Sequence, residues 1–297
     1  MWITYQFAAI FFWAAMNVVD SLLVRHYQKN PFVLGWFLSG ISLVMLLLMA
    51  VFVDIRTPWM WWIALAGITG WIGDLVFYRT IRELDVSVAN IGWSIMAIVM
   101  GIAGFFLFDE RWSGMQLAGA ALVIGGIVVL SLWHQKITKP RSLLWLPALG
   151  CSYVPFYILQ KALLLQGIHL FQVFFWMFIG REVTTMMIPL LIPSLRRNIF
   201  QYVSEAPKSF YLWGICAIGL FTAGNFLTTA AFASGPASLV SVVGNAQPFI
   251  VLFFAWLMVR IAPLSAPKEL LTKQSVTVKI VSFTIVYSGL ALIALAQ

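Results

Sequence analysis

Charge is what this chain has least of. Asp, Glu, Lys and Arg make up 9% of its 297 residues, whereas a soluble domain carries about 25%. A water-soluble globule is therefore excluded. Cysteine is nearly as scarce. Cys151 and Cys216 both sit inside long apolar runs, which excludes a disulfide scaffold. The three histidines (His26, His134 and His169) are scattered near the ends of such runs and show no metal-ligand spacing. A Walker loop, a dinucleotide-binding glycine fingerprint and an HExxH zinc motif are all missing. No cofactor, metal or catalytic residue is expected. The first apolar run begins at residue 2 without a basic leader, so it reads as a retained span and not as a cleaved signal.

Apolar sequence is what remains. Hydrophobic residues make up 62% and the mean hydropathy is +0.95. Residues 30–53, 86–108 and 112–133 carry no Asp, Glu, Lys or Arg, and each is long enough to cross ~30 Å of hydrocarbon as a helix. Residues 209–259 are also free of charge, too long for one crossing at ~1.5 Å per residue. They divide at Gly235-Pro236, where a helix breaks. The same reading gives ten spans: 3–24, 31–53, 59–79, 86–108, 112–133, 143–164, 170–192, 210–233, 237–259 and 277–296. The runs are continuously apolar and not alternating, which favours helices over barrel strands. The expected fold class is an all-α integral membrane protein of ten transmembrane helices.

The chain also reads as one module written twice. Gly73-Asp74-Leu75 opens a stretch that returns as Gly224-Asn225-Phe226, 151 residues on. The turns Leu84-Asp85-Val86-Ser87 and Gly235-Pro236-Ala237-Ser238 follow at the same offset. Earlier segments pair at an offset of 140, Trp36 with Trp176 and Gly40 with Gly180. The expected units are 1–133, a basic linker at 134–142, and 143–297. Two repeats packed in a bilayer are a common way to build a transporter, with a substrate site between the halves near the midplane.

The net charge of +8 suggests nucleic acid until its distribution is considered. Of 18 Lys and Arg, only Arg56, Arg111, Lys161 and Arg181 lie within spans or beyond the even-numbered ones. The rest gather at the ends of odd-numbered spans: Arg25 and Lys29, Arg79 and Arg82, Lys136 to Arg141, Arg196 to Lys208, Arg260 to Lys279. Such loops set topology and touch lipid headgroups, so no nucleic-acid partner is expected. The positive-inside rule puts this side in the cytoplasm and both termini outside. The expected location is the cell (inner or plasma) membrane, multi-pass. The expected partners are membrane lipids and a small-molecule solute, with oligomeric state open and a monomer possible.

Phe106-Leu107-Phe108-Asp109-Glu110-Arg111, Gln116-Leu117-Ala118-Gly119-Ala120 and Gly125-Gly126-Ile127-Val128-Val129-Leu130 resemble the end of an EamA-type repeat of the drug/metabolite transporter superfamily. Gly244-Asn245-Ala246-Gln247-Pro248-Phe249 and Ser288-Gly289-Leu290-Ala291-Leu292 carry the resemblance into the second half. There are departures. Met96-Ala97 stands where Pro248 maps, and Arg260-Ile261 replaces the Glu-Arg pair and precedes an insertion. The usual orientation of the family, N-terminus in the cytoplasm, conflicts with the charge count. The resemblance implies secondary transport of a small metabolite, often export, by two inverted five-helix repeats.

An ionisable group at mid-bilayer costs at least ~2.5–3.5 kcal/mol, so each needs a partner, a cavity or a function. Arg181 and Glu182 fall in the middle of span seven. Arg181 reads as a clamp for an anionic group or as half of an ion pair with a carboxylate such as Asp74. Glu182 reads as a cation or proton site. Asp74, whose repeat mate is Asn225, reads as a substrate or proton-coupling group, or as a partner of Arg79. Asp20 reads as a salt bridge to Arg25 at the interface, Asn17 as a deeper cavity residue, and Lys161 as snorkelling from a span end.

Asn245 and Gln247 flank Pro248, which frees the carbonyl of residue 244. Pro248 and Pro155 are the expected hinges. Tyr153 and Tyr157 flank Pro155, and Tyr157 is a candidate contact. Most of the fourteen tryptophans lie at span ends as an aromatic belt. Trp93 and Trp176 lie deeper, where they can flank an organic solute.

The leading expectation is a secondary transporter, not an enzyme. It would move an amino acid or similar amphipathic solute by alternating access, with proton coupling through Asp74 and Glu182. The alternatives are a lipid or polyprenyl-phosphate flippase and a membrane enzyme on a lipid-linked substrate. Sparse mid-membrane acidic residues and short basic loops disfavour the enzyme.

Overall fold

A computed structural model describes residues 1–28, 30–83, 86–133, 142, 144–247, 249–251, 253–254 and 273–296. Pro248, the linker 134–141 and the basic stretch 260–272 lie outside the described residues. So do the side chains of Arg25 and Arg82.

Every long element among the described residues is helical. The order is α1 (Trp2–Leu22), α2 (Pro31–Met49), α3 (Met60–Glu83), α4 (Val86–Leu107), α5 (Gly114–Trp133), α6 (Trp145–Ser152) and α7 (Val154–Leu165). Then follow α8 (Leu170–Leu191), α9 (Pro193–Glu205), α10 (Lys208–Ser234), α11 (Ala237–Gly244) and α12 (Lys273–Leu295). A π-helical turn, Leu23–Tyr27, extends α1. Among the described residues, six helices are long and apolar enough to cross a membrane: those over Trp2–Asp20, Phe32–Met49, Met60–Phe77, Trp145–Leu165, Leu170–Leu191 and Lys208–Ser234. Shorter apolar helices cover Ile91–Leu107, Gly114–Val129, Ala237–Gly244 and Ile280–Leu295. Large apolar side chains such as Leu47, Trp61 and Leu212 face outward, as a lipid-solvated surface requires.

The structure departs from the sequence reading at three places. Span six is two helices, α6 and α7, meeting at Tyr153 just before Pro155. The ring of Pro155 conflicts with continuation of the preceding turn. Span nine pauses at Asn245 and Ala246. Residues 193–205, expected as a loop, form the amphipathic helix α9. Pro193 opens it at the first helical position, where a missing N–H costs nothing. Ile199 is fully buried, while Tyr202 meets Phe210 at 5.2 Å and Phe200 meets Trp36 at 6.4 Å.

The packing is paired. α5 lies on α12, α4 on α11, and α2 on α8. α1 packs on α10 as α3 packs on α6 and α7; α3 packs on α8 as α2 packs on α10; α4 packs on α6 as α1 packs on α11. With the halves matched in span order, each contact has a counterpart in which the halves are exchanged.

Between lipid-solvated helices, association rests on van der Waals contact and small residues. α3 and α8 approach most closely at two glycines. A Cβ at Gly67 would fall on the Met177 carbonyl, and one at Gly180 on the Ala64 carbonyl. Gly125, by contrast, faces open space. Gly67→Ala should therefore force the two backbones apart and cost about 1–3 kcal/mol, while Gly125→Ala should be tolerated. Thermal unfolding of the detergent-purified variants checks this; equal midpoints for the two would show that the α3–α8 contact is not tight.

Candidate functional site

One face of α1 opens onto a central cavity through Gln6, Ile10, Trp13, Asn17 and Asp20, three or four residues apart. That spacing is one helical stripe. α3 supplies Gly70, Asp74 and Phe77. α10 supplies Phe221, Asn225 and Thr228, the residues 151 positions on. Trp93 and Met96 of α4 also line the cavity, together with their mates Gly244 and Gln247. At the offset of 140, Trp13, Met16 and Asn17 face it opposite Tyr153, Phe156 and Tyr157. Matched positions from the two halves thus face a space of about 1310 Å³, part of it open to solvent. Ser94 and Asn245, themselves mates 151 apart, touch each other, the hydroxyl donating to Asn245 Oδ1 at 3.0 Å.

Charge is concentrated in one cluster. Arg181 of α8 donates to both oxygens of Asp74 on α3, Nε to Oδ2 at 2.7 Å and an η-nitrogen to Oδ1 at 2.6 Å. The Tyr153 hydroxyl donates to the same Oδ1 at 2.6 Å. The guanidinium also lies over Phe221, 4.7 Å from the ring centre. Only 11% of the Arg181 side chain and 13% of the Asp74 side chain are exposed. Desolvating such a pair is costly, and a two-pronged geometry with a third donor is what offsets it. Aromatic rings continue the wall, Trp93 meeting Tyr153 at 5.2 Å and Tyr153 stacking on Tyr157 at 6.3 Å.

Of the sequence candidates, the structure brings Asn17, Asp74, Trp93, Tyr157, Arg181, Asn225, Asn245 and Gln247 together around this cavity. Two do not line it. Glu182 turns away toward α2, within hydrogen-bonding reach of the Ser39 and Ser42 hydroxyls. Trp176 donates its indole N–H to the Ile55 carbonyl at 2.8 Å. Asn225 binds the Phe221 carbonyl through Nδ2, and Asn245 binds the Ser241 carbonyl likewise. Pro155 stands at the α6–α7 break, and Pro248 lies outside the described residues.

Three other charged residues correct the sequence reading. Arg79 pairs with Glu83, not with Asp74. Lys161 does not snorkel: its ammonium donates to the carbonyls of Phe232 (2.8 Å) and Gly235 (2.9 Å), which the end of α10 leaves without helical partners. Asp20 lines the cavity, and its Oδ1 is buried with no hydrogen-bond partner among the described residues.

Glu110 is a residue that sequence reasoning left without a role. Asp109 adopts a left-handed φ of 52°, which aspartate tolerates, and Glu110 then reaches α11. It accepts from the backbone N–H of Ala237 (2.6 Å) and Ser238 (3.0 Å) and from the Ser238 hydroxyl. A carboxylate there satisfies orphan donors and faces the positive end of the helix dipole. The α10–α11 turn is thus held by Glu110 from one half and Lys161 from the other.

Residues 1–132 match the EamA-like transporter family. An uncharacterized membrane protein, YvaE of Bacillus subtilis (strain 168), is 39% identical over 71 residues, 23% of this chain; the match spans 60% of that relative. A solved crystal structure, described only as that of a protein, superposes with a TM-score of 0.71 at 17% identity. The likeness covers 100% of this chain and 99% of that one, and it speaks for the fold alone.

The ion pair makes a quantitative prediction. Arg181→Leu leaves the Asp74 carboxylate buried and unpaired and should cost about 3–5 kcal/mol, whereas adding Asp74→Leu should recover much of that loss. Thermal unfolding of both single variants and the double variant in detergent measures the coupling; additive losses would contradict a direct pair.

Proposed function

We propose, for a chain whose first 132 residues match the EamA-like transporter family, that the whole is a secondary transporter of the drug/metabolite superfamily. It has ten spans in two inverted five-helix repeats and carries a small amphipathic metabolite by alternating access. The observation that carries this reading is the cavity lined by repeat mates from both halves, Asp74 with Asn225 and Met96 with Gln247. The exchange of contacts between the halves, with Ser94 meeting its own mate Asn245, supports a two-fold axis through that cavity. Such an axis in the membrane plane relates repeats of opposite orientation.

Alternating access needs a side that is shut. The starts of α1, α5 and α11 and the ends of α4 and α10 meet at one end of the bundle. There Glu110 and Lys161 hold the α10–α11 turn, and Trp112 donates its indole N–H to the Ser238 hydroxyl at 2.8 Å. This is the closed side in our reading. With both termini outside, as the basic loops favour, it faces away from the cytoplasm, and the site opens inward.

The coupling step we assign to Asp74. Its carboxylate joins α3, α6 and α8 through Arg181 and Tyr153, so adding a proton to it removes the charge that Arg181 grips. Glu182, packed against α2, stays outside the transport path. Mixed polar groups and aromatic walls suit a solute with both an apolar body and a charged group.

Reconstitution into proteoliposomes with a metabolite pool, read by mass spectrometry with and without a pH gradient, tests the proposal. Solute flux that follows the gradient in the native protein, and that falls at least about tenfold or loses its gradient dependence in Asp74→Asn, is expected. Flux that ignores the gradient in both would remove proton coupling. Lipid movement without any soluble solute would replace the reading with a flippase.

A further inference from the structure

The charges lining the cavity do not cancel. Arg181 and Asp74 satisfy each other, and Glu110 and Lys161 are occupied at the α10–α11 turn. That leaves Asp20, which lines the same cavity with Oδ1 buried and unpartnered among the described residues.

Among the described residues, its surroundings supply no counter-charge. Along α1 the cavity stripe below it is Asn17, Trp13 and Ile10, all neutral. α10 and α11, the helices packed on α1, carry only Lys208, Tyr211 and Cys216 as ionisable groups; Lys208 stands at the start of α10, and Tyr211 donates to the Val203 carbonyl. The side chain of Arg25, five residues further on, lies outside the described residues. Across the cavity stands the Arg181–Asp74 pair, already two-pronged.

Symmetry sharpens the point. The mate of Asp20 at the offset of 140 is Gln160, a buried neutral amide whose Nε2 donates to Thr229 at 3.0 Å. One half keeps a neutral amide at this position, its Oε1 likewise without a partner among the described residues, and the other keeps a carboxylate facing the solute space.

From these observations, and resting on the reading of the cavity as a solute path, we infer that the transported solute is an organic cation whose ammonium group binds Asp20. A carboxylate taken out of water without a partner is costly, and an incoming ammonium removes that cost with a charge-assisted hydrogen bond. Trp13 and Tyr157 line the same space. Their ring faces attract a cation further and bury an apolar body. A carboxylate solute gains nothing here, because Arg181 is already engaged and Asp20 repels it.

Calorimetry on the full chain in nanodiscs tests this with three probes of one shape: phenethylammonium, neutral phenethyl alcohol and anionic phenylacetate. The native protein is expected to bind phenethylammonium at least about tenfold tighter than phenethyl alcohol, and Asp20→Asn to erase that margin while leaving the alcohol unchanged. Asp20→Glu, which keeps the charge, is expected to retain the preference and shows that loss in the amide variant is not misfolding. Unchanged phenethylammonium binding in a folded Asp20→Asn protein overturns the inference, as does tighter binding of phenylacetate or no binding of phenethylammonium to the native protein. In any of those cases, solute flux that persists in Asp20→Asn proteoliposomes leaves the transport reading standing, and absence of flux in the native protein removes that as well.

Discussion

A guanidinium and a carboxylate taken out of water together have to hold each other, and much of this protein is arranged around one such pair. Arg181 and Asp74 come from different halves of the chain, on the two helices that approach closest. The glycine contacts at Gly67 and Gly180 bring the backbones of α3 and α8 together, one of them next to the arginine itself. Without that approach the side chains would not meet; without the pair, two charges would stand in a low-dielectric interior at several kcal/mol each. Tyr153, at the break between α6 and α7, adds its hydroxyl to the same carboxylate oxygen. The break and the pair thus fix three helices about one point.

The cavity is lined by matched positions from the two halves, and several of them carry different side chains. Matched positions from the two halves face one another across it, and a strictly symmetric version would present equal chemistry from both sides. Instead Asp74 is matched by Asn225 and Trp93 by Gly244, while the position matching Arg181 is Ile41, which does not line the cavity. Aromatic rings line it from both halves, Trp13 and Phe221 with Asn17 and Asn225, and Trp93, Tyr153 and Tyr157 with the ion pair. Near the start of α11, Glu110 and Lys161 hold the α10–α11 turn through backbone groups that helix termini leave open, and the turn packs into the buried apolar cluster around Trp2, Phe232 and Ala237.

Much of this was legible in the sequence because membrane spans announce themselves by composition. The long apolar runs and the break at Gly235-Pro236 follow from hydrophobic thickness and backbone chemistry, and Pro155 was legible as a hinge within span six, though not as the boundary between two helices. The Asp74–Arg181 pair was visible as one of two readings, since a buried charge requires a partner. α9 was not visible, because Arg196, Arg197 and Glu205 give it the composition of a loop, and the few residues it buries count only once Trp36 and Phe210 are in place beside them. Lys161 looked like a snorkelling lysine because its distance along the chain from a span end was known, but the two open carbonyls of α10 were not. Asp20 was matched with Arg25 on proximity in sequence, whereas helical geometry turns the carboxylate into the cavity. Glu182 shares its span with Arg181 yet points about 100° away, as adjacent helical residues do. A span can be counted from one strand of sequence, but the direction a side chain faces depends on its neighbours.

Access to the cavity from both sides in turn is the central claim, and a thiol probe reads it most directly. Ser241→Cys places a reactive group on the cavity wall, in a background where the lipid-facing Cys151 and Cys216 are replaced by serine. A membrane-impermeant thiol reagent is then applied to one face or the other of sealed vesicles, with and without a transported solute. The account predicts labelling from both faces, with the solute shifting the balance between them. Labelling from a single face under every condition would contradict it.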